Sequence, residues 1–455
     1  MSEEKIRISK DDLKSNHVEE ILEQQAALSG DVDYLHRKDP PKTKLLLSSW
    51  FYLLIAGFVG ALLAWMIIEP HFDDVFRVTG VIGEVKAGET IPGLNVKAYL
   101  ITINGVNVYA TDENTIVKGT DQEKHEIKTI SDLKPGQYAY AAIQDGVGDN
   151  SGLAVGIQVS PTPFAAFSDK SLKDQSNEKN LWSLFIFPLL GALIGLFIGC
   201  ADGLLSRTWM KAVKAGLIGM LIGAVGGVIS MLIAGFFYGI VGFFTEGAGM
   251  DPFKNTGAFL IQVVRRTVAW ALLGMTMGLG QGVALKSKKL LLNGFIGGVI
   301  GALLGGLLFD PIDVLILSKG VMDPFRSADV SRMVGFTLTG AFVGLMIGIV
   351  EQISKDAWLI MTQGPITGKQ FIIYKEITIL GSSPNCEIYL FKDPEIDPEH
   401  AMIVKIHDGY VIKDNNSSTG LYVNNKKVRE SKLRNGDKVQ LGKTVFSFSE
   451  KERSK

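Results

Sequence analysis

Leu181-Trp-Ser-Leu-Phe-Ile-Phe-Pro-Leu-Leu-Gly191-Ala-Leu-Ile-Gly195-Leu-Phe-Ile-Gly199-Cys-Ala201 is an uncharged, almost wholly apolar run whose length decides what kind of molecule this is. At about 1.5 Å per residue, a helix over it covers the ~30 Å hydrocarbon layer of a bilayer. Five more runs of this kind lie at 45–68, 215–244, 267–285, 290–309 and 333–350. The pattern predicts six transmembrane helices. The first run follows a long polar stretch and lacks a small-x-small exit, so it reads as a signal anchor and not as a cleaved leader.

Composition agrees. Of 455 residues 47% are apolar, and 51 are glycine, well above the usual ~7%. The formal charge of −1 gives no basic field to recruit nucleic acid, and no nucleic-acid partner is expected. Cys200 and Cys386 fall in different compartments of this layout, so no disulfide framework is available. The six histidines are scattered without ligand spacing, which predicts no metal and no cofactor. The sequence holds no phosphate-cradling glycine loop, no G-x-S-x-G, no H-E-x-x-H and no kinase signature, so the reading is not an enzyme.

The glycines recur at helical spacing: Gly191, Gly195, Gly199; Gly274, Gly278, Gly282; Gly340, Gly344, Gly348. Spans three and five share a second pattern, Gly216, Gly219, Gly223 against Gly294, Gly297, Gly301, each followed by a double glycine. Met250-Asp251-Pro252-Phe253-Lys254 returns as Met322-Asp323-Pro324-Phe325-Arg326. This predicts an internal A-B-A-B-A repeat in a glycine-packed bundle, since four-residue spacing aligns the glycines on one helix face where backbones can touch. The alternative uses of such faces are a homo-oligomer contact or a lined transport path. Asp202 and Glu351, each three residues past the last glycine of its repeat, are expected at the cytoplasmic rim, tying a loop to a neighbouring turn.

Orientation follows from Lys and Arg near the spans. Arg37, Lys38, Lys42 and Lys44, then Arg207, Lys211 and Lys214, then Lys286, Lys288 and Lys289 fall on one side. Both termini are therefore expected in the cytoplasm and residues 70–180 outside an inner (plasma) membrane. Arg265, Arg266, Lys319, Arg326 and Arg332 are exceptions expected to snorkel outward. The expected organisation is a cytoplasmic segment 1–44 with one helix at 11–28, a span at 45–69, an external domain at 70–160, a tether at 161–180, five spans over 181–352, and a cytosolic domain at 363–455.

In the external segment, alternation predicts strands at 77–85, 96–103 and 106–109, with an Asn104-Gly105 hairpin turn, then at 128–130, 138–144 and 154–159. Short strands with Ser131-Asp132-Leu133-Lys134-Pro135-Gly136 before one of them resemble the small OB-like barrels of bacterial envelope proteins. The surface is acidic and shows few aromatics, which argues against single-strand binding.

The C-terminal segment predicts eight strands, at 371–374, 377–380, 387–390, 402–406, 410–413, 421–423, 438–441 and 445–448, and hence a β-sandwich. Its motifs are Leu380-Gly381, Asn385-Cys386-Glu387-Ile388, Asp397-Pro398-Glu399-His400-Ala401, Asp414 with Ser417-Ser418-Thr419-Gly420, Val423-Asn424, and Leu433-Arg434-Asn435-Gly436-Asp437 with Leu441-Gly442. In this order and spacing they resemble the forkhead-associated (FHA) domain. The resemblance implies a protein-binding module whose loops read phosphothreonine, with positions Ser382, Ser383, Asp397, His400, Ser418, Thr419 and Asn424 at the partner-binding end. The family pattern has Arg after the first glycine, Ser opening S-x-x-H with a basic residue often beside it, and Asn before the later glycine. Here those places hold Ser382, Asp397, Pro398 and Thr419, so the charge-assisted phosphate donors are lost and a carboxylate is added. The resemblance retains His400, Gly381, Gly420 and Asn424 in structural duties.

The expectation is thus a multi-domain membrane protein: a six-helix glycine-rich bundle, an external OB-like barrel and a cytosolic FHA-type sandwich. It would act as a scaffold or signalling adaptor, phospho-independent, with lipid and a protein as partners; the other reading of the module is phosphothreonine recognition by substitute donors, Ser382, Ser383, Thr419 and a neighbouring Lys. The alternative is a channel or transporter regulated by the FHA domain.

Overall fold

The computed structural model describes residues 45–71, 76–91, 96–112, 115–146, 150–165, 172–246, 256–318 and 329–451. The helix expected at 11–28 and both Met-Asp-Pro-Phe loops lie outside these residues.

Long apolar runs become helices because a backbone with no water to bond must satisfy its own N–H and C=O groups. The helices are α1 (Ser49–Ile68), α2 (Leu172–Leu205), α3 (Trp209–Glu246), α4 (Thr256–Met277), the short α5 (Leu279–Ala284), α6 (Lys288–Ser318) and α7 (Asp329–Ser354). Counting α4 with α5, six helical segments among the described residues are long and apolar enough to cross a membrane. Their outward faces carry large apolar side chains such as Leu221, Leu232 and Phe236, surface that water would not tolerate in one patch.

Backbone touches backbone wherever the glycines meet. A Cβ placed on Gly191, Gly195 or Gly199 of α2 would lie 2.2–2.5 Å from a carbonyl oxygen of α3 in the reverse order, at Gly223, Gly219 and Ala215 (2.2, 2.4 and 2.5 Å). Gly274 and Gly278 meet Gly298 and Gly294 of α6 in the same way, and Gly282 of α5 meets Leu291. The third glycine row does not pair with the next helix in sequence. Gly340, Gly344 and Gly348 of α7 lie against Gly57, Leu53 and Trp50 of α1. Three antiparallel helix pairs result, and the third joins the first and last spans of the bundle. All three rows are therefore covered within one chain, which leaves none of them free for the homo-oligomer contact considered above.

Pairs touch one another through Gly60 on Ile194, Gly226 on Thr276 and Gly301 on Val343. Between them sits an apolar core in which Trp270 meets the rings of Phe187, Phe309 and Phe336. Two turns close hairpins in the same manner. Arg207 and Lys286 both take positive φ (56° and 51°), and Thr208 N–H and Ser287 N–H donate back to the carbonyls of Gly203 and Gly282 at 2.8 and 3.0 Å. Arg332, expected to reach outward, is instead buried in a fork with Glu69, Nε to Oε2 at 3.0 Å and the second nitrogen to Oε1 at 2.5 Å. A planar guanidinium satisfied by a carboxylate on the neighbouring helix end has no need to reach for solvent.

Between α1 and α2 the strands are β1 (Phe76–Thr90), β2 (Lys97–Ile103), β3 (Val106–Ala110), β4 (Ile116–Thr120), β5 (Glu126–Ile127), β6 (Tyr138–Gly146) and β7 (Ser151–Ser160). The sheet runs β3-β2-β1-β6-β7-β4-β5, and β3 also pairs in parallel with β7, closing a five-strand ring. Asn104 and Gly105 turn between β2 and β3 with φ of 50° and 77°, the geometry a two-residue hairpin asks for. The strand expected at 128–130 is replaced by a 3-10 turn at Ile130–Asp132, because Thr129 and Asp132 cap each other's backbone N–H groups. The expected tether is also different: α2 already begins at Leu172. Leu172 is buried in the β core, Gln175 Oε1 accepts from Arg77 N–H at 3.2 Å, and Lys179 lies over the Phe76 ring.

Beyond α7 come β8 (Ala357–Gln363), β9 (Gln370–Ile372), β10 (Ile377–Gly381), β11 (Ile388–Tyr389), β12 (Ala401–Ile406), β13 (Gly409–Asp414), β14 (Leu421–Val423), β15 (Lys426–Val428), β16 (Glu430–Leu433), β17 (Lys438–Leu441) and β18 (Thr444–Glu450). Two sheets, β11-β10-β12-β13-β16 and β15-β14-β17-β18-β8-β9, close on Leu359, Leu380, Ile403, Ile412, Leu421, Leu441, Phe446 and Phe448. The sandwich opens at Ala357, ahead of the 363 expected, because Ala357-Trp-Leu-Ile-Met-Thr-Gln363 pairs with β18 and carries no punctuating turn residue to set it off from the helix.

Candidate functional site

β10, β12 and β13 bring their loops to one end of the sandwich by register. Leu380 pairs with Ala401 and Ala401 with Asp414, so the chain leaves β10, enters β12 and leaves β13 side by side. Gly381 lets the strands close up, since a Cβ there would meet the Pro398 carbonyl oxygen at 2.1 Å.

His400 is the fully buried hub of these loops. Its Nδ1 accepts from Asp397 N–H at 3.1 Å, which assigns the ring proton to Nε2, and Nε2 donates to the Gly420 carbonyl at 3.2 Å. The His400 N–H donates to the Leu380 carbonyl and its carbonyl accepts from Asn415 N–H. Ser382 N–H and Ser383 N–H donate to the carbonyls of Asp397 and Pro398 at 2.9 and 3.1 Å. Ser383 Oγ accepts from Asn385 N–H.

The carboxylate of Asp397 dominates this end. Its Oδ2 accepts the Ser418 N–H at 2.5 Å and its Oδ1 the Ser418 hydroxyl at 2.9 Å. These two bonds hold its carboxyl below the usual range, the backbone N–H contributing most. The Thr419 hydroxyl donates to the Glu395 carbonyl at 2.8 Å, so the donor that replaces the family's Asn is already engaged.

Six of the seven residues named from sequence, Ser382, Ser383, Asp397, His400, Ser418 and Thr419, thus meet at one end. Asn424 stands apart. It takes positive φ in the β14–β15 turn, donates to Asp437 Oδ1 at 2.8 Å and accepts from Lys438 N–H at 2.9 Å, fixing the turn into β17. Sequence reasoning missed Asp393, buried, whose Oδ2 accepts from Lys443 N–H and the Thr444 hydroxyl, and the Cys386 thiol, which donates to the Pro398 carbonyl at 3.0 Å. The alternation Asp393-x-Glu395-x-Asp397-x-Glu399 was the available signal for a structured acidic loop. Among the described residues no group of three or more His, Cys, Asp or Glu is arranged to hold a metal ion.

Comparison with known proteins bears on this end of the chain. A family model described as "FHA domain" matches residues 378–442. Over 93 residues, 20% of this chain, it is 36% identical to the oxoglutarate dehydrogenase inhibitor of Corynebacterium jeikeium. A stretch of the same length is 34% identical to the glycogen accumulation regulator GarA of Mycobacterium tuberculosis. The matches span 64% and 57% of those two proteins. Among solved structures, the FHA domain of the CT664 protein from Chlamydia trachomatis aligns over 22% of this chain and 100% of its own, at 27% identity and a TM-score of 0.20. A Saccharomyces cerevisiae FHA domain in complex with a phosphothreonine peptide covers 21% of this chain and 94% of its own, at 18% identity and a TM-score of 0.20. Residues 378–442 of this chain are an FHA domain.

Proposed function

We propose that the chain is a multi-pass membrane adaptor whose FHA domain docks a protein partner without requiring phosphate. One observation carries the reading: the Asp397 carboxylate takes both donors of Ser418, the N–H and the hydroxyl, in the loop end where the family receives a phosphate. A phosphate arriving there would meet a like charge and find the donors occupied. The relatives' names, an inhibitor and a regulator, accord with a partner-binding role.

The rest of the chain anchors and extends that module. The basic residues flanking the spans support cytoplasmic termini and an outer β domain. The closed ring β3-β2-β1-β6-β7 supports an OB-like barrel. The like turns at Arg207 and Lys286 and the three glycine rows support an internal repeat, with α1 standing as the partner that the third row lacks in sequence. Lipid covers the outward apolar faces.

The test restores the family's donors. In the full-length protein in nanodiscs, S382R/D397S/T419N should gain about tenfold or more in preference for a phosphothreonine peptide over its unphosphorylated twin, since charge-assisted donors contribute ~1.5–3 kcal/mol each. The unaltered protein should show no preference. If it prefers the phosphopeptide as strongly as the variant does, the reading is wrong.

A further inference from the structure

Two of the three helix pairs in the bundle are closed at the cytoplasmic rim by a covalent turn, at 203–208 and 282–287. The third, α1 with α7, is not. There the helices are joined by Gly348 packing on the Trp50 backbone and by Gln352 Nε2 donating to Ser49 Oγ at 2.8 Å. The FHA-bearing sandwich sits on this joint.

Only Lys355 and Asp356 separate α7 from β8, too few residues for a free linker. Lys369, in the turn before β9, is 2% exposed. Its Nζ donates to Asp202 Oδ1 at 3.0 Å and to the Ser206 hydroxyl, both at the end of α2. Asp202 also accepts from the Tyr52 hydroxyl of α1 at 3.4 Å. Tyr374 OH donates to Glu351 Oε1 at the end of α7. The Gln370 side chain faces that of Gln352. Asp356 bridges Lys289 and Lys405 at 2.9 and 3.3 Å, and Lys211 donates to the Cys386 carbonyl. The rim acids Asp202 and Glu351 therefore meet the sandwich, not a neighbouring turn. A lysine with its ammonium out of water needs its partners, so a seat holding Lys369 is a defined state and not a loose encounter.

We propose that Lys369, Gln370 and Tyr374 form a clamp by which the FHA-bearing sandwich holds the uncovalent α1–α7 joint shut, with α2 linking this clamp to the outer β domain. α2 runs over 34 residues, from Leu172 in the β1–β7 core through Pro188 to Leu205, with Asp202 and the following Ser206 under Lys369. The proposal rests on the reading of the chain as a membrane adaptor and adds how the module is seated.

The test uses the full-length chain in nanodiscs, with Cys200 and Cys386 replaced by alanine and spin labels at Lys214→Cys on α3 and Lys426→Cys on the sandwich. The clamp predicts one narrow distance distribution. Lys369→Met should broaden or shift it and should speed protease cleavage between α7 and β8 by roughly tenfold, the half-exposed Asp202 keeping the effect below that of a fully buried pair. Asp202→Asn should do the same should Lys369→Met not fold, and the double variant should be no worse than the worse single one. A broad distribution in the parent protein, or both single variants matching the parent, would overturn the clamp. Phosphate-selective binding with a narrow distribution would overturn the adaptor reading and leave the clamp standing.

Discussion

Gly195→Ala makes a sharp test of the helix packing, because α3 carries its own control. The added Cβ on α2 would lie 2.4 Å from the Gly219 carbonyl oxygen and 2.9 Å from its carbon, about 1 Å short of ordinary contact. Backbone on both sides leaves no flexible side chain to move aside. The helices must separate, and a gap of 0.5–1 Å forfeits about a quarter to a half of each dispersion contact along the face. Overpacking of this kind costs ~1–3 kcal/mol, offset by about 1 kcal/mol of helix propensity gained from Gly to Ala. At Gly235 of α3 nothing lies within 4 Å of the same Cβ, so only the propensity gain remains. Thermal unfolding of the two purified variants in one detergent should place Gly195→Ala below the parent protein and Gly235→Ala level with it or above. Equal midpoints would refute the claim that the glycines are there for close approach.

Three further outcomes follow from named contacts. Asp397 has its carboxyl held below the ordinary value of 3.8 by the Ser418 N–H and hydroxyl, so its contribution is present above the unfolded value and is lost as pH falls through the folded one. Amide shifts of Ser418 should titrate below pH 3.8 and lose that step in Asp397→Ala; a midpoint at or above the ordinary value contradicts the contact. Leu172→Ala should destabilise the β1–β7 domain by ~2–5 kcal/mol in denaturant unfolding, the cost of emptying a buried leucine site, and a neutral result would return residues 161–180 to the role of tether. An impermeant thiol reagent on intact cells should label Thr90→Cys, and should label Lys427→Cys only after permeabilisation; the reverse pattern would invert the topology.

Local rules account for what was legible. The spans could be read because bilayer crossing demands an uninterrupted apolar length, and the sandwich because turn residues separate short alternating strands. Register and long-range pairing were less accessible. Gly57 and Gly60 in the first span gave no repeat to align, yet α1 supplies the partner of the third glycine row, a contact between segments far apart in sequence, such as Gly57 with Gly340. Leu172 stands in a stretch of Ser, Asp, Lys and Asn that reads as linker, and only the core of the β1–β7 domain shows why the helix starts there. β4 was missed because Ile116-Val-Lys-Gly-Thr120 alternates too briefly, and its pairing with β7 decides its state. At the site, the loss of phosphate donors was visible in the residue types. That Asp397 would engage both donors of Ser418 required the loops to be brought together by His400.

The central claim is that the FHA domain docks protein without reading phosphate. The most direct measurement is binding of the full-length protein in nanodiscs to a degenerate threonine peptide pool, phosphorylated and unphosphorylated, at one ionic strength. The account predicts equal retention of the two pools, unchanged by phosphatase treatment. Selective retention of the phosphorylated pool, lost on phosphatase treatment, would contradict it.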